Sequence, residues 1–241
     1  MRHDFKTPLV GALACIGGLA ALAYGAYSVG PVERLDLRIF LHFTDEDSRA
    51  TGPAELLVHL GDLGPLLALM AAIVVFGLYF GRRREIIAAI AVIIGANLTT
   101  QLLKVALEHP RHTIHQGVTH AFWAELLPSA DAFPSGHTTA AASVAVALLF
   151  VVPHRHQMTA LAAGILLTAA VAVSVVVLTW HYPSDAVGAV LVAAIWGFLM
   201  AAALRPPERH GRTERRQTTA MRGLPSPPTI GGHGTRSWSH D

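Results

Sequence analysis

Long apolar runs, separated by short polar clusters, dominate the chain. Six of them, near residues 8–29, 64–80, 86–103, 136–152, 158–179 and 185–204, carry few charges. Each is close to the roughly 20 residues a helix needs to cross the hydrocarbon core, with the second and fourth at the short end. The pattern predicts an all-α, polytopic membrane protein of six transmembrane helices in a bundle over residues 1–204. Residues 205–241, rich in Arg, Pro, Gly and Ser, lack the apolar content to build a core, and we read them as a disordered basic tail.

Composition agrees with that reading. Only 14% of the 241 residues are charged and 52% are hydrophobic, whereas a soluble domain carries about 25% charged residues. The solvent for most of this chain is therefore lipid. The first run follows Arg2 and Lys6 and ends near Ala21-Leu22-Ala23, as a signal peptide could. Its apolar length exceeds the usual ~7–15 residues of a signal core, so we read a retained helix. Cys15, the single cysteine, lies inside that run and reads as a buried thiol.

Charge placement predicts orientation. With six spans and a cytoplasmic N-terminus, Arg2, Lys6, Arg82, Arg83, Arg84, Arg155 and seven tail arginines lie inside, 13 of the 18 Lys and Arg. Arg34, Arg38, Arg49, Lys104 and Arg111 lie outside, an asymmetry that follows the positive-inside rule. The expected setting is a bacterial cytoplasmic (inner) membrane, with both termini cytoplasmic. Tail arginines then report topology and attraction to anionic lipid, and no nucleic-acid partner is implied.

The candidate chemistry sits in the polar breaks. Pro134-Ser135-Gly136-His137 opens the fourth run, and His181-Tyr182-Pro183-Ser184-Asp185 opens the sixth. Both place a histidine where free helix N–H groups favour an anion. Lys104 and Arg111 supply cations seven positions apart at the end of the third run. In the six-span topology these segments meet at one face, the extracytoplasmic one. Two histidines, two cations and a carboxylate point to phosphoryl chemistry without a metal or cofactor.

Each residue has a role in such a reaction and a plainer alternative. His181 can attack phosphorus and form a phosphohistidine. Asp185, four residues on, shares a helical face with it and can fix its tautomer, although a carboxylate or Ser184 there could also simply cap a helix. His137 can protonate the leaving oxygen and later activate water, or merely pack at a helix start. Ser135 and Gly136 favour the first option, because glycine admits close backbone approach and serine adds a donor beside the amides. Lys104 and Arg111 can bind phosphate oxygens, while snorkelling explains Lys104 alone but not the paired spacing. His112, His115 and His120 do not have metal-ligand spacing and read as loop histidines. Glu33–Phe43 mixes apolar and charged residues as an interfacial segment does; it either covers the site or is a simple connecting helix.

These spacings resemble the type 2 phosphatidic acid phosphatase (PAP2) superfamily, whose signatures read K-x6-R-P, P-S-G-H and S-R-x5-H-x3-D. Here they stand as Lys104-x6-Arg111-His112, an intact Pro134-Ser135-Gly136-His137, and Ser174-Val175-x5-His181-x3-Asp185. The resemblance spans about residues 60–204, with its motif core at 104–185. It implies the same roles for His137, His181 and Asp185, and a metal-independent phosphatase or pyrophosphatase of phosphatidate-type or polyprenyl lipid phosphates. Vanadate-dependent haloperoxidases share the motifs, but they are soluble. A transporter would call for paired broken helices near the midplane. No oligomeric state is indicated.

Two positions depart from the family pattern. His112 replaces proline, a change of loop stiffness. Val175 replaces an arginine that contacts phosphate, and losing such a bond in a dry site costs on the order of 2–4 kcal/mol. The alternative function is therefore a catalytically weak or inactive lipid-phosphate-binding protein. His109 is a candidate substitute cation, and Val175→Arg is expected to improve the pocket by up to roughly 2 kcal/mol in kcat/KM.

Overall fold

The computed structural model describes residues 6–27, 30–44, 51–107 and 133–205. Within them every regular element is helical: α1 (Lys6–Tyr27), α2 (Pro31–Thr44), α3 (Thr51–Val58), α4 (Leu63–Tyr79), α5 (Arg83–Leu107), α6 (Gly136–Val151), α7 (Gln157–Val177) and α8 (Pro183–Ala203). Short 3₁₀ turns at His59–Gly61 and His154–His156 precede α4 and α7.

All six predicted runs are helical, but they do not all reach spanning length. Among the described residues four helices are long and apolar enough to cross a membrane: α1, α5, α7 with its preceding turn, and α8. A fifth is reached only if Gly52–Gly61 and α4, bent by 57° against each other, count as one broken span. Helix α6 has 16 residues, about 24 Å at 1.5 Å per residue, and falls short of the ~30 Å hydrocarbon thickness. Helix length therefore supports four or five spans among the described residues. The polar break before α4 is a turn that bends the chain, and α6 begins at Gly136, where its run was read to begin.

Helix α6 lies at the centre. It packs on α5, α7 and α8, while α1 lies along α8 and α4 rests against α5 and α6. Its buried run Thr138–Val144 is made of Thr, Ala, Ser and Val, small side chains that let neighbouring backbones approach where lipid offers no hydrophobic drive between helices. Toward one end Ile73, Ile86, Ala89, Ile93, Val144, Ala147 and Val151 join α4, α5 and α6. At that end Arg82 Nη1 donates to the carbonyls of Phe150 and Val152, both at 3.3 Å, meeting the C-terminal carbonyls of α6 with a cation.

Helix α5 is apolar around its circumference, so both faces have a use. Ile87, Ile94, Leu98 and Leu102 are exposed on the side that lipid would cover. Ile86, Ala89, Ile93, Ala96, Thr100 and Lys104 form the buried stripe, and the last of these is a cation. Helix α2 shows the opposite polarity from a soluble surface helix. Its Asp36 and Phe40 are buried, while Leu35, Leu37 and Leu41 point outward.

Candidate active site

The motifs converge where α5 ends, α6 begins, α7 ends and α8 begins. Thr100 Oγ1 and Thr139 Oγ1 share a hydrogen bond of 2.9 Å, which joins α5 to the first turn of α6. Lys104 follows Thr100 by one turn on the same face, so it stands about 6 Å further toward the start of α6. It is buried, as snorkelling to a surface would not make it. Arg111, the other predicted phosphate cation, lies outside the described residues, as do His109, His112, His115 and His120.

Ser135 is the N-cap of α6, its hydroxyl accepting from the Thr138 N–H at 3.4 Å. Its own N–H donates to the Asp185 carbonyl at 3.0 Å, tying the second motif directly to the third. A Cβ built on Gly136 meets no described atom within 4 Å, so the backbone there faces open space. Gly188 allows a different approach: a Cβ there would lie 2.7 Å from the Phe133 ring, which seats the residues leading into the second motif against α8.

The third motif is built by the turn between α7 and α8. The Trp180 and His181 N–H groups both donate to the Val175 carbonyl, at 3.0 and 3.2 Å, folding the turn back on the last turn of α7. His181 is buried with Nδ1 3.3 Å from Asp185 Oδ2, and Nε2 lies on the far side of the ring. The same Asp185 oxygen accepts the Tyr182 N–H at 2.9 Å. Capping and holding the histidine, which read as alternatives in the sequence, are both performed by one carboxylate. The Trp180 ring packs 5.6 Å from that of His137, bringing the second histidine to the same turn.

Several contributors lie outside the sequence motifs. Asp36 Oδ1 accepts the Ser184 N–H at 3.1 Å, so a helix from the first third of the chain caps α8. Phe40 of the same helix packs on Tyr182, with ring centroids 5.2 Å apart. Burial first, then the carboxylates of Asp185, Asp36 and Glu33, push the Tyr182 phenol above its ordinary value. Asp62 lies 3.5 Å from His137. Two buried hydroxyls, Thr138 Oγ1 and Ser184 Oγ, have no partner among the described residues. Asp36 and Phe40 lie in the Glu33–Phe43 segment that the sequence offered as a cover for the site, whereas Asp62, in the polar break His59-Leu60-Gly61-Asp62, belongs to no motif. Among the described residues no group of three His, Cys, Asp or Glu is arranged to hold a metal.

Val175 is fully buried in an apolar cluster with Val58 and Val176, against which Ile39, Phe43, Leu178 and Trp180 pack. The position expected to lack a cation is filled by close-packed hydrocarbon. A guanidinium here would displace packed side chains and enter a dry cluster, which weighs against a simple gain from Val175→Arg.

The described residues thus form an apolar helical bundle with two histidines, a carboxylate beside one of them and a buried lysine gathered at one end. The sequence profile of the PAP2 superfamily matches residues 85–207, just over half of the chain, and the chain belongs to that superfamily. Its fold is similar to the crystal structure of the first transmembrane PAP2 type phosphatidylglycerolphosphate phosphatase from Bacillus subtilis. The TM-score is 0.70 at 19% identity, covering 83% of this chain and 98% of that one. No curated protein matches the chain. Membership of that superfamily supports a phosphatase activity.

Proposed function

We propose that the chain is an integral-membrane lipid phosphatase that releases inorganic phosphate from a phospholipid or polyprenyl (pyro)phosphate through a phosphohistidine. The observation that carries this reading is the buried His181–Asp185 pair joined through the Asp185 carbonyl to the start of α6. Asp185 holds Nδ1, so Nε2 is the atom that attacks phosphorus, and the carboxylate stabilises the positive charge that develops on the ring. His137 protonates the departing alcohol oxygen and then takes a proton from the water that cleaves the N–P bond. Lys104 and Arg111 hold phosphate oxygens, helped by the amides after Ser135. The hydroxyls of Thr138 and Ser184 stand at the same two helix starts.

The site end lies opposite the end where Arg82 meets the last turn of α6, with Arg83 and Arg84 next to it in the chain. By the positive-inside rule the site faces outward, where the headgroup of an outer-leaflet lipid would reach it. The test is phosphate release by the purified protein from a panel of lipid phosphates, with and without EDTA. Release that survives chelation is expected, together with an acid-labile, base-stable phosphoenzyme that His181→Ala lacks. Turnover lost on chelation and restored by a divalent metal would overturn the mechanism, and no release from any lipid would overturn the activity.

A further inference from the structure

The turn between α3 and α4 belongs to none of the motifs, yet it grips one of their histidines. Asp62 is the N-cap of α4, a place where aspartate ordinarily accepts a first-turn N–H, but its side chain makes no capping bond. The carboxylate is directed elsewhere. Oδ2 lies 2.8 Å from His59 Nδ1 and Oδ1 lies 3.5 Å from His137 Nε2. Gly61 brings the turn still closer: a Cβ there would lie 2.9 Å from His137 Cα and 3.0 Å from its Cβ and Cδ2. No side chain larger than hydrogen fits without displacing the histidine. The His137 ring also meets Trp180, 5.6 Å away between centroids, so backbone, indole and carboxylate together restrict its rotamer.

We propose that Asp62 is a positioning residue for His137, with His59 steadying the second carboxylate oxygen. The proposal rests on the phosphatase reading and deepens it. A histidine that works as an acid and then as a base needs one ring nitrogen held while the other exchanges the proton. Asp62 holds Nε2–H, and Nδ1 does the exchange. In the first half-reaction the Nδ1–H bond breaks and its proton goes to the leaving oxygen. The P–O electron pair stays on that oxygen while His181 Nε2 forms the N–P bond. In the second, Nδ1 takes a proton from water as the new O–P bond forms and the N–P pair returns to His181. The Asp62 carboxylate's 3.5 Å separation from His137 is longer than a hydrogen bond, as catalytic contacts often are before substrate tightens them.

The test compares leaving groups. An alkyl phosphate needs a proton on its departing oxygen, whereas p-nitrophenyl phosphate hardly does. Asp62→Asn is expected to lower kcat on the alkyl substrate on the order of 10- to 100-fold, with a much smaller loss on the aryl one and little change in KM. Asp62→Glu should recover part of the loss. His59→Gln, at an exposed residue, should show a weaker effect with the same leaving-group dependence. In ¹⁵N-imidazole-labelled protein the His137 ring resonances should move in Asp62→Asn and stay in place in Glu55→Gln, an exposed carboxylate control. Equal losses on both substrates, or unmoved His137 resonances, would overturn the assignment. A parent protein that cleaves neither substrate would sink the phosphatase reading instead, and the ring resonances would still decide whether Asp62 holds His137.

Discussion

Thr179 takes φ +57°, a left-handed conformation that a β-branched residue adopts only under strain. It stands two residues before His181, where the chain must stop α7 and reverse within a few residues to begin α8. Thr179→Gly should relieve that strain and raise stability by roughly 0.5–1 kcal/mol net of glycine's larger chain entropy. Thermal melting in detergent reads the result, and a lower midpoint would show the turn to be unstrained. Asp185 combines two tasks that asparagine separates. Asp185→Asn keeps an acceptor for the Tyr182 N–H, so the melting temperature should hold, while turnover should drop about 10³- to 10⁴-fold because the histidine loses its charge partner and tautomer. Val175→Arg should do the reverse of what the motif alone suggests. Placing a guanidinium among Val58, Val176 and Trp180 should destabilise the protein by about 1–3 kcal/mol with no gain in kcat/KM, as measured by melting and by phosphate release.

Among the elements, α2 reaches the site from outside the motifs. It caps α8 through Asp36 while exposing Leu35, Leu37 and Leu41. One helix therefore carries both an exposed apolar face and a cap of the site. Asp36→Ala removes the acceptor for the Ser184 N–H, and the expected cost is about 1 kcal/mol of stability. Because α8 carries Asp185 in its first turn, kcat should fall along with the melting temperature, and an unchanged kcat would mean that α2 does not position the site. The α3–turn–α4 break belongs at this scale too. A polar interruption that reads as a boundary between apolar runs becomes the piece that touches His137.

For the whole molecule, orientation is the open and measurable property. The site end and the Arg82–Arg84 end are opposite, and the latter should face the cytoplasm. In a Cys15→Ser background, a membrane-impermeant maleimide should label Glu55→Cys in intact cells and reach Arg83→Cys only after lysis. The opposite labelling pattern would invert the topology and move the substrate to the inner leaflet.

Apolar runs and short motifs are local properties, and the chain alone was enough to specify them. The helices, their approximate limits and the family follow from side-chain hydrophobicity and from residues a few positions apart, such as His181 in the turn and Asp185 in the first turn of α8. The shortness of α4 and α6 was legible too, but the 57° bend between α4 and the helix before it was not. Composition measures whether a run prefers lipid, whereas its length as a helix depends on where a cap or a bend falls. The partners of the site residues were equally illegible. Asp36 is 148 residues from Ser184, and Asp62 is 75 positions from His137. No spacing rule links such residues, because only close packing of α2 and the α3–α4 turn against α6 and α8 brings them together. The meaning of Val175 also had to wait for that packing, since a motif shows which residue is missing but only the surrounding side chains show what fills its place.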